Sequence, residues 1–147
     1  MNGTLLELLI QKGANVNELS PNVSALFVAA ENGDEKLAKI LIDNNADINS
    51  KSAISGYTPL SWAATSNQKN IVHLLIQNGA DVNAKDNNSQ ETTLHEMVHQ
   101  GKSEIAKILL ESGASLIHKD KNGKDAMESS MESKRIEVFK IILAFQH

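Results

Sequence analysis

The string His95-Glu96-Met97-Val98-His99 contains the residue types of a zinc-hydrolase site. It fits the pattern H-E-x-x-H, in which two histidines one helical turn apart bind zinc and the glutamate acts as general base. The extended pattern places a glycine and a third histidine further on, and this sequence has Lys102 and Ile105 at those positions. A third ligand would have to be Glu104 or Glu111, on the polar side of the next predicted helix. A zinc-dependent hydrolase therefore stays an alternative that needs support from elsewhere in the chain.

The composition indicates a helical protein with an aliphatic core. Of the 147 residues, 41% are hydrophobic but only 3% are aromatic, so Leu, Ile, Val and Ala must build the core. Such residues suit closely packed helices better than a β-sandwich, and we expect an all-α or nearly all-α fold. The chain has no cysteine, which excludes disulfides, thiolate zinc sites and cysteine nucleophiles.

Charge and hydropathy argue against nucleic-acid and membrane partners. The formal net charge is −4, and the 14 basic residues are spread without a cluster, whereas phosphate binding needs a local excess of Lys and Arg. The apolar run at residues 5–10 is too short to span a bilayer and contains a charge. Because no targeting segment is visible, we expect a cytoplasmic protein; delivery into a host cell stays open if the source is an intracellular microbe.

The chain is self-similar at a step of 34 residues. Residues 24–49, 58–83 and 92–117 align at that step, and a fourth copy follows at 125–147 after a step of 33. Residues 4–17 match only the second half of the unit. Such a period is typical of a protein built from stacked copies of one supersecondary unit.

Each copy predicts two short helices followed by a polar loop. Residues able to cap the first helix are Ser24, Thr58, Thr92 and Asp125. The second helix carries apolar residues at i, i+3 and i+4, which gives one buried stripe. Residues suited to a left-handed stop after it are Gly13, Asn45, Gly79 and Gly113. Projecting hairpin loops are predicted at the segments 50–57, 84–91 and 118–124. Asp81 and Asn83 are predicted to be turn residues whose side chains make local hydrogen bonds.

The segments Gly56-x-Thr58-Pro59-Leu60-x-x-Ala63-Ala64 and Gly79-Ala80-Asp81-Val82-Asn83 resemble the ankyrin-repeat pattern G-x-T-P-L-H-x-A-A … G-A-D-V-N. The resemblance extends over essentially the whole chain. It implies a single all-α domain, a solenoid of stacked helix-turn-helix units with short hairpin loops. The implied units are a half repeat at 1–17, repeats at 18–51, 52–86 and 87–120, and a C-terminal capping repeat at 121–147.

The sequence departs from the family pattern at both ends. Repeat one lacks its first helix, so the chain is either a piece of a longer protein or uses the remaining helix as an improvised cap. We expect a monomer, with end-to-end self-association through that helix as an alternative. In the last repeat, Ser129, Ser130, Glu132 and Ser133 replace small or apolar positions. Their polarity suits a capping repeat whose outer face meets water.

The resemblance implies a protein–protein interaction module without catalytic activity or cofactor. It also gives His95 a role without metal, because the pattern has a structural histidine at this position, hydrogen-bonded near the turn that opens the first helix. Ankyrin proteins use the hairpin tips and the exposed side of the first helix as a concave recognition face. By position, the protein-binding residues are Glu31, Asn32, Ser55, Tyr57, Trp62, Thr65, Ser66, Asn88, Ser89, Glu91, Glu96, His99 and Gln100.

Three residues of repeat two, Val23, Phe27 and Val28, fall on the same face, although Phe27 is expected in the core. Tyr57 and Trp62 are the only tyrosine and the only tryptophan of the chain. Aromatic side chains of this kind are enriched at interface hot spots, and both are expected to anchor a partner. The alternative for Trp62 is that it only covers the junction between repeats.

Overall fold

The computed structural model describes residues 3–17 and 24–146, and the regular structure of these residues is helical. The helices are α1 Gly3–Gln11, α2 Ala25–Asn32, α3 Glu35–Asp43, α4 Pro59–Thr65, α5 Lys69–Gln77, α6 Thr93–Gln100, α7 Ser103–Glu111, α8 Ala126–Glu132 and α9 Ile136–Phe145. Extended pairing in this part of the chain is limited to an antiparallel bridge between Lys85 and Thr92. The predicted all-α class is therefore confirmed. None of the described helices combines the length and the apolar character that a membrane crossing requires.

The first helix of each pair begins directly after its predicted capping residue, although the Ser24 hydroxyl makes no capping bond to α2. Thr58 precedes α4 in extended backbone, and its Oγ1 accepts a hydrogen bond from the Ser61 N–H at 3.2 Å. Asp125 precedes α8 in the same way and accepts from the Glu128 N–H at 3.0 Å. Pro59 occupies the first turn of α4, where a helix has no use for its missing N–H. Local sequence thus determines where these helices start.

Left-handed residues end the helices at regular positions. After the second helices, Gly13, Asn45, Gly79 and Gly113 have φ values of 89°, 65°, 93° and 92°, as predicted. Gly101 ends α6 with φ 69° and also allows a close approach, because a Cβ there would lie 3.2 Å from Arg135 Nη1. The Arg135 side chain lies over Gly101, and its guanidinium donates a hydrogen bond to the His99 carbonyl at 3.0 Å. Because Gly101 has no side chain, Arg135 of the next helix pair can reach the end of α6 and cap it.

The chain divides into two compact units. Unit 1 consists of residues 1–54 and 58–80 and contains α1 to α5. In unit 1, α2 packs against α3 and α4, α4 packs against α5, and α3 lies between α1 and α5. Unit 2 consists of residues 55–57 and 81–147, and in it α6 packs against α7 and α8, while α9 packs against α7 and α8. Within each unit, first helices stack on first helices and second helices on second helices.

The recurring aliphatic residues form the core of each unit. Fully buried side chains in unit 1 are Leu26, Leu41, Leu60 and Leu75, and those in unit 2 include Leu94, Met97, Leu109 and Ile142. The replacement of two small alanines by Met97 and Val98 in the third complete helix pair is accommodated, since both side chains are completely buried. At α1 the apolar stripe remains partly open, with Leu5, Leu8 and Leu9 exposed by 59%, 50% and 46%.

The prediction of a polar outer face on the last helix pair is wrong for its two adjacent serines. Ser129 and Ser130 are only 2% and 1% exposed, and the Ser129 hydroxyl has no hydrogen-bond partner. Ser130 occupies the position of Met97, 33 residues earlier, so it lies on the packed side of the helix. The outer side instead exposes four apolar residues, Met131, Ile136, Leu143 and Phe145, by 63%, 64%, 41% and 38%.

Asparagine side chains connect the loops of successive helix pairs. Asp81 accepts the Asn83 N–H at 2.9 Å, which confirms the predicted local bond. The Asn83 amide also reaches the next loop, where it donates to the Gly113 carbonyl at 3.3 Å and accepts from the Ser115 N–H at 2.7 Å. The prediction of purely local bonds was therefore incomplete. The equivalent position 34 residues later is Ile117, whose side chain is 82% exposed.

We predict that Asn83→Ala lowers the free energy of unfolding by about 1–2 kcal/mol, because two bonds between successive loops are lost. The matched control is Asn78→Ala, which removes a single bond within α5, from the Asn78 amide to the Leu74 carbonyl. Urea denaturation of the three proteins measures the difference. Equal stabilities for the two variants would show that the two bonds between the loops contribute no more than the single bond at the end of α5.

Candidate functional site

His95 is completely buried at the start of α6. Its Nδ1 lies 3.3 Å from the Thr92 backbone nitrogen and 2.9 Å from Thr92 Oγ1, and its Nε2 lies 3.1 Å from the Lys124 carbonyl oxygen. An N–H can only donate and a carbonyl can only accept, so Nδ1 accepts from Thr92 and Nε2 carries the proton. The imidazole is thus a neutral connector between the start of α6 and the residue before Asp125.

This geometry does not favour the zinc hypothesis for the H-E-x-x-H string. Both ring nitrogens of His95 are engaged by the protein, so zinc binding would require breaking its connections to Thr92 or Lys124. His99 lies on the surface, and its Nε2 is 3.1 Å from Glu91 Oε1. Among the described residues, no group of three His, Asp or Glu side chains converges as a metal site requires. The structural role that the family resemblance implies for His95 is confirmed.

The other first helices handle the same position differently. Ser61 pairs its hydroxyl with that of Thr58 at 3.2 Å. Glu128 accepts the Asp125 N–H at 2.9 Å and completes a capping box. The phenyl ring of Phe27 cannot form such a hydrogen bond. Phe27 is only 4% exposed, so its predicted place in the core is confirmed. Only His95 joins the helix start to the next helix pair through a side chain that can bind a proton.

Tyr57 is the centre of a group of polar side chains in unit 2. It is half-buried, and its hydroxyl is hydrogen-bonded to the Glu96 carboxylate. Burial raises the pKa of Tyr57 to about 12, and the negative charges of Glu96, Asp86 and Glu91 add to the increase. Glu96 Oε1 also accepts from Gln100 Nε2 at 2.6 Å. We call Tyr57, Glu91, Glu96, His99 and Gln100 the Tyr57 cluster.

The hairpin at residues 85–92 is held in shape by Asp86. Its Oδ1 accepts the N–H groups of Asn88, Ser89 and Gln90 at 2.8, 2.6 and 3.1 Å. Asp86 is not among the predicted site residues, although an aspartate at the start of a polar turn is a recognisable signal. The Asn87 N–H donates to the Ser55 carbonyl at 2.9 Å, which links this hairpin to residues 55–57. Asn88 is exposed at the tip, whereas Ser55 and Ser89 are partly buried.

A second set of predicted residues lies in unit 1, on the neighbouring helices α2 and α4. Glu31 and Asn32 are exposed at the end of α2, and Trp62 is half-buried on α4. The Thr65 hydroxyl is 3.0 Å from both the Ser61 and the Trp62 carbonyl oxygens, so it bonds to its own helix. We call the five residues Glu31, Asn32, Trp62, Thr65 and Ser66 the Trp62 surface. Val28 is half-buried on α2, and Val23 lies outside the described residues.

Comparison with protein families identifies the fold. The family model described as "Ankyrin repeats (3 copies)" matches residues 1–86, and the model described as "Ankyrin repeat" matches residues 89–121. Because the first match covers more than half of the 147 residues, the chain belongs to the ankyrin-repeat family. Ankyrin repeats are generally protein–protein interaction modules and are typically non-enzymatic. A comparison with curated proteins gives no match.

We predict that the tyrosinate absorbance of the folded protein titrates near pH 12, and that it titrates near the ordinary value of about 10 in urea. Tyr57 is the only tyrosine, so the signal reports on this residue alone. Glu96→Gln lowers the folded pKa because it removes a nearby negative charge, whereas Glu31→Gln in unit 1 leaves it unchanged. A folded-state midpoint near 10 would contradict the described environment of Tyr57.

Proposed function

We propose that this protein binds a protein partner, without catalysis, through the Tyr57 cluster, the exposed Asn88 and the partly buried Ser55 and Ser89 at the 85–92 hairpin, and the Trp62 surface. These residues occupy the positions that the family uses for its concave face and hairpin tips. The observation that carries the proposal is the fixed pose of Tyr57. It is half-buried against the 85–92 hairpin, with its hydroxyl bonded to Glu96.

A fixed aromatic side chain is well suited to recognition. An interface side chain that is ordered before binding loses little conformational entropy when the complex forms. In the Tyr57 cluster, Glu96 is held by Tyr57 and Gln100, and Glu91 is held by His99. These contacts orient hydrogen-bonding groups around an aromatic ring, the combination that hot spots favour. Binding is therefore expected to require little rearrangement of α6 and its hairpin.

The partner is proposed to be a protein because two basic side chains of the 118–124 loop in unit 2 are already paired with carboxylates. Lys119 Nζ lies 3.2 Å from Glu128 Oε2 and 3.7 Å from Asp125 Oδ2. Lys124 forms an ion pair with Glu132. Binding of nucleic acid would have to break these pairs, and the surrounding carboxylates of the Tyr57 cluster would repel phosphates.

The proposal excludes a hydrolytic role for the H-E-x-x-H string. A metal-dependent hydrolase would need His95 as a ligand, and this residue uses Nδ1 to accept from Thr92 and Nε2 to donate to Lys124. Glu96, the general base of that hypothesis, instead accepts hydrogen bonds from Tyr57 and Gln100. In the proposed function, Glu96 and His99 belong to the binding surface.

The test is co-precipitation of partners from the source cell with the wild type and two variants, Tyr57→Ala/Glu96→Ala and Trp62→Ala. For a partner identified in this way, we expect each variant to weaken binding by about 2 kcal/mol, or about 30-fold, because an anchor is lost. Isothermal titration calorimetry measures the affinities. Trp62 is the only tryptophan, so its fluorescence gives an independent signal of partner contact in the wild type and in the variants that keep this residue.

The matched control is Lys107→Ala/Glu111→Ala, which removes an exposed ion pair from α7 in unit 2. We expect this variant to bind like the wild type, and circular dichroism checks that all variants stay folded. If the α7 control loses the partner while the Tyr57 and Trp62 variants keep it, the proposed surface is wrong. If only one of the two aromatic variants loses affinity, only that surface carries the binding.

A further inference from the structure

His95 connects the start of α6 to the residue before α8, while Arg135 makes a second hydrogen-bonded connection, from the last helix pair to the His99 carbonyl at the end of α6. On one side His95 accepts a hydrogen bond from Thr92 at the start of α6, and on the other it donates to the Lys124 carbonyl immediately before α8. The ring is completely buried, so water does not compete for either bond. The connection at the start of α6 therefore depends on the neutral state of one imidazole, whereas the connection at its end, through Arg135, does not.

A second proton on His95 is incompatible with this arrangement. It would bind to Nδ1 and point at the Thr92 N–H, 3.3 Å away, and a backbone N–H cannot become an acceptor. Thr92 Oγ1, at 2.9 Å, could accept the new proton, but the backbone bond would still be lost and a charge would be buried. Opening of the α6–α8 contact would expose the charged ring to water and remove this conflict.

The charged neighbours of His95 do not compensate for its burial. Burial lowers the pKa of His95 below its usual 6.5, and the Lys124 carbonyl and the carboxylates of Glu91 and Asp120 offset this only in part. A positive charge on His99 would oppose protonation further. The Lys124 ammonium group is directed to Glu132. The folded protein therefore favours the neutral form of His95.

The last helix pair has features of a weakly held element. The Ser129 hydroxyl is buried without a hydrogen-bond partner, which costs free energy on the packed side of α8. On its outer side, α8 and α9 leave Met131, Ile136, Leu143 and Phe145 exposed. Among the described helices, α8 and α9 pack only against each other, α6 and α7, and a helix pair that is held on one side opens more readily than one held on both. A local opening of α8 and α9 can therefore precede global unfolding.

We propose that His95 is a proton-dependent latch for the last helix pair: protonation of its imidazole releases residues 118–145 from α6 and α7 while α2 to α5 stay folded. This role is separate from partner binding, and its test needs no partner. In the opened state His95 meets water and binds a proton more readily than in the closed state. Opening is therefore coupled to proton uptake, and its equilibrium constant rises as the pH falls below about 6.5.

The expected size of the effect follows from this linkage. Between about pH 7.5 and about pH 5.5, the opening constant increases up to about 10-fold, if the closed state remains unprotonated. Above about pH 7.5 it is constant, because neither state then binds the extra proton. Stability of the latch is thus fully present above the ordinary histidine pKa and is lost progressively below it.

Amide hydrogen exchange followed by NMR tests the proposal on the full chain. After correction for the intrinsic exchange rate at each pH, the amides of α8 and α9 should show the increase, and those of α2 to α5 should not. His95→Gln is the decisive variant, since the glutamine amide retains a donor for Lys124 and has no proton to bind. It is expected to open more often than the wild type, with an opening constant that no longer depends on pH in this range.

The matched controls are His99→Gln and His118→Gln. His99 influences His95 electrostatically, and its Nδ1 lies 3.5 Å from Ser133 Oγ at the end of α8, so this control tests whether the second histidine carries the pH dependence instead. His118 has a buried Nδ1 without a hydrogen-bond partner in the loop before α8. Both controls should keep the pH dependence of the wild type. The proposal is overturned if wild-type exchange in α8 and α9 is independent of pH, if the dependence survives in His95→Gln, or if all helices respond alike.

If His95→Gln does not fold, the ring resonances of His95 in the wild type decide the matter. The proposal requires that proton uptake by this ring and opening of α8 and α9 follow the same pH curve. Titration of the His95 ring near its ordinary pKa without faster exchange in α8 and α9 would equally overturn it.

Discussion

The structure depends on the burial of aliphatic side chains between consecutive helix pairs. Within unit 1, Leu26 and Leu60 repeat the same buried contact, and within unit 2 Leu94 and Leu109 are likewise completely buried. Each helix pair is too small to bury its own apolar stripe, so it acquires stability only through its neighbours. Side chains that face outward take no part in these buried contacts. They are therefore available for recognition.

The consequences differ between interior and terminal helix pairs. In unit 2, α6 packs against α7 and α8, and its surface residue Glu96 is oriented by Tyr57. The terminal pair α8–α9 has one described neighbour and retains an unpaired buried hydroxyl at Ser129. Our proposal is that His95, which bridges Thr92 and Lys124, controls the opening of α8 and α9. We propose that partner recognition and the local opening of α8 and α9 both follow from the packing of each helix pair against its neighbours in sequence.

The fold could be predicted from sequence because its signals are local and repeated. Capping residues such as Thr58, left-handed stops such as Gly79, and the 34-residue step all report on contacts within one or two repeats. The hydrogen bonds from Asn83 to the next loop were not predicted, since the sequence does not show which distant backbone groups lie within reach of its side-chain amide. The bond between Tyr57 and Glu96 also joins residues distant in sequence, so the predicted surface listed both residues without their contact. Ser129 was misplaced because a polar residue in a last repeat is assumed to face water.

The central claim is that recognition uses a surface formed before the partner binds. Hydrogen–deuterium exchange of the free and the partner-bound protein tests it most directly. The account predicts added protection in the 85–92 hairpin, α6 and α4, and unchanged exchange in the outer helices α3, α5 and α7. Protection confined to α3, α5 and α7, or a gain in protection throughout both units that indicates folding upon binding, would contradict it.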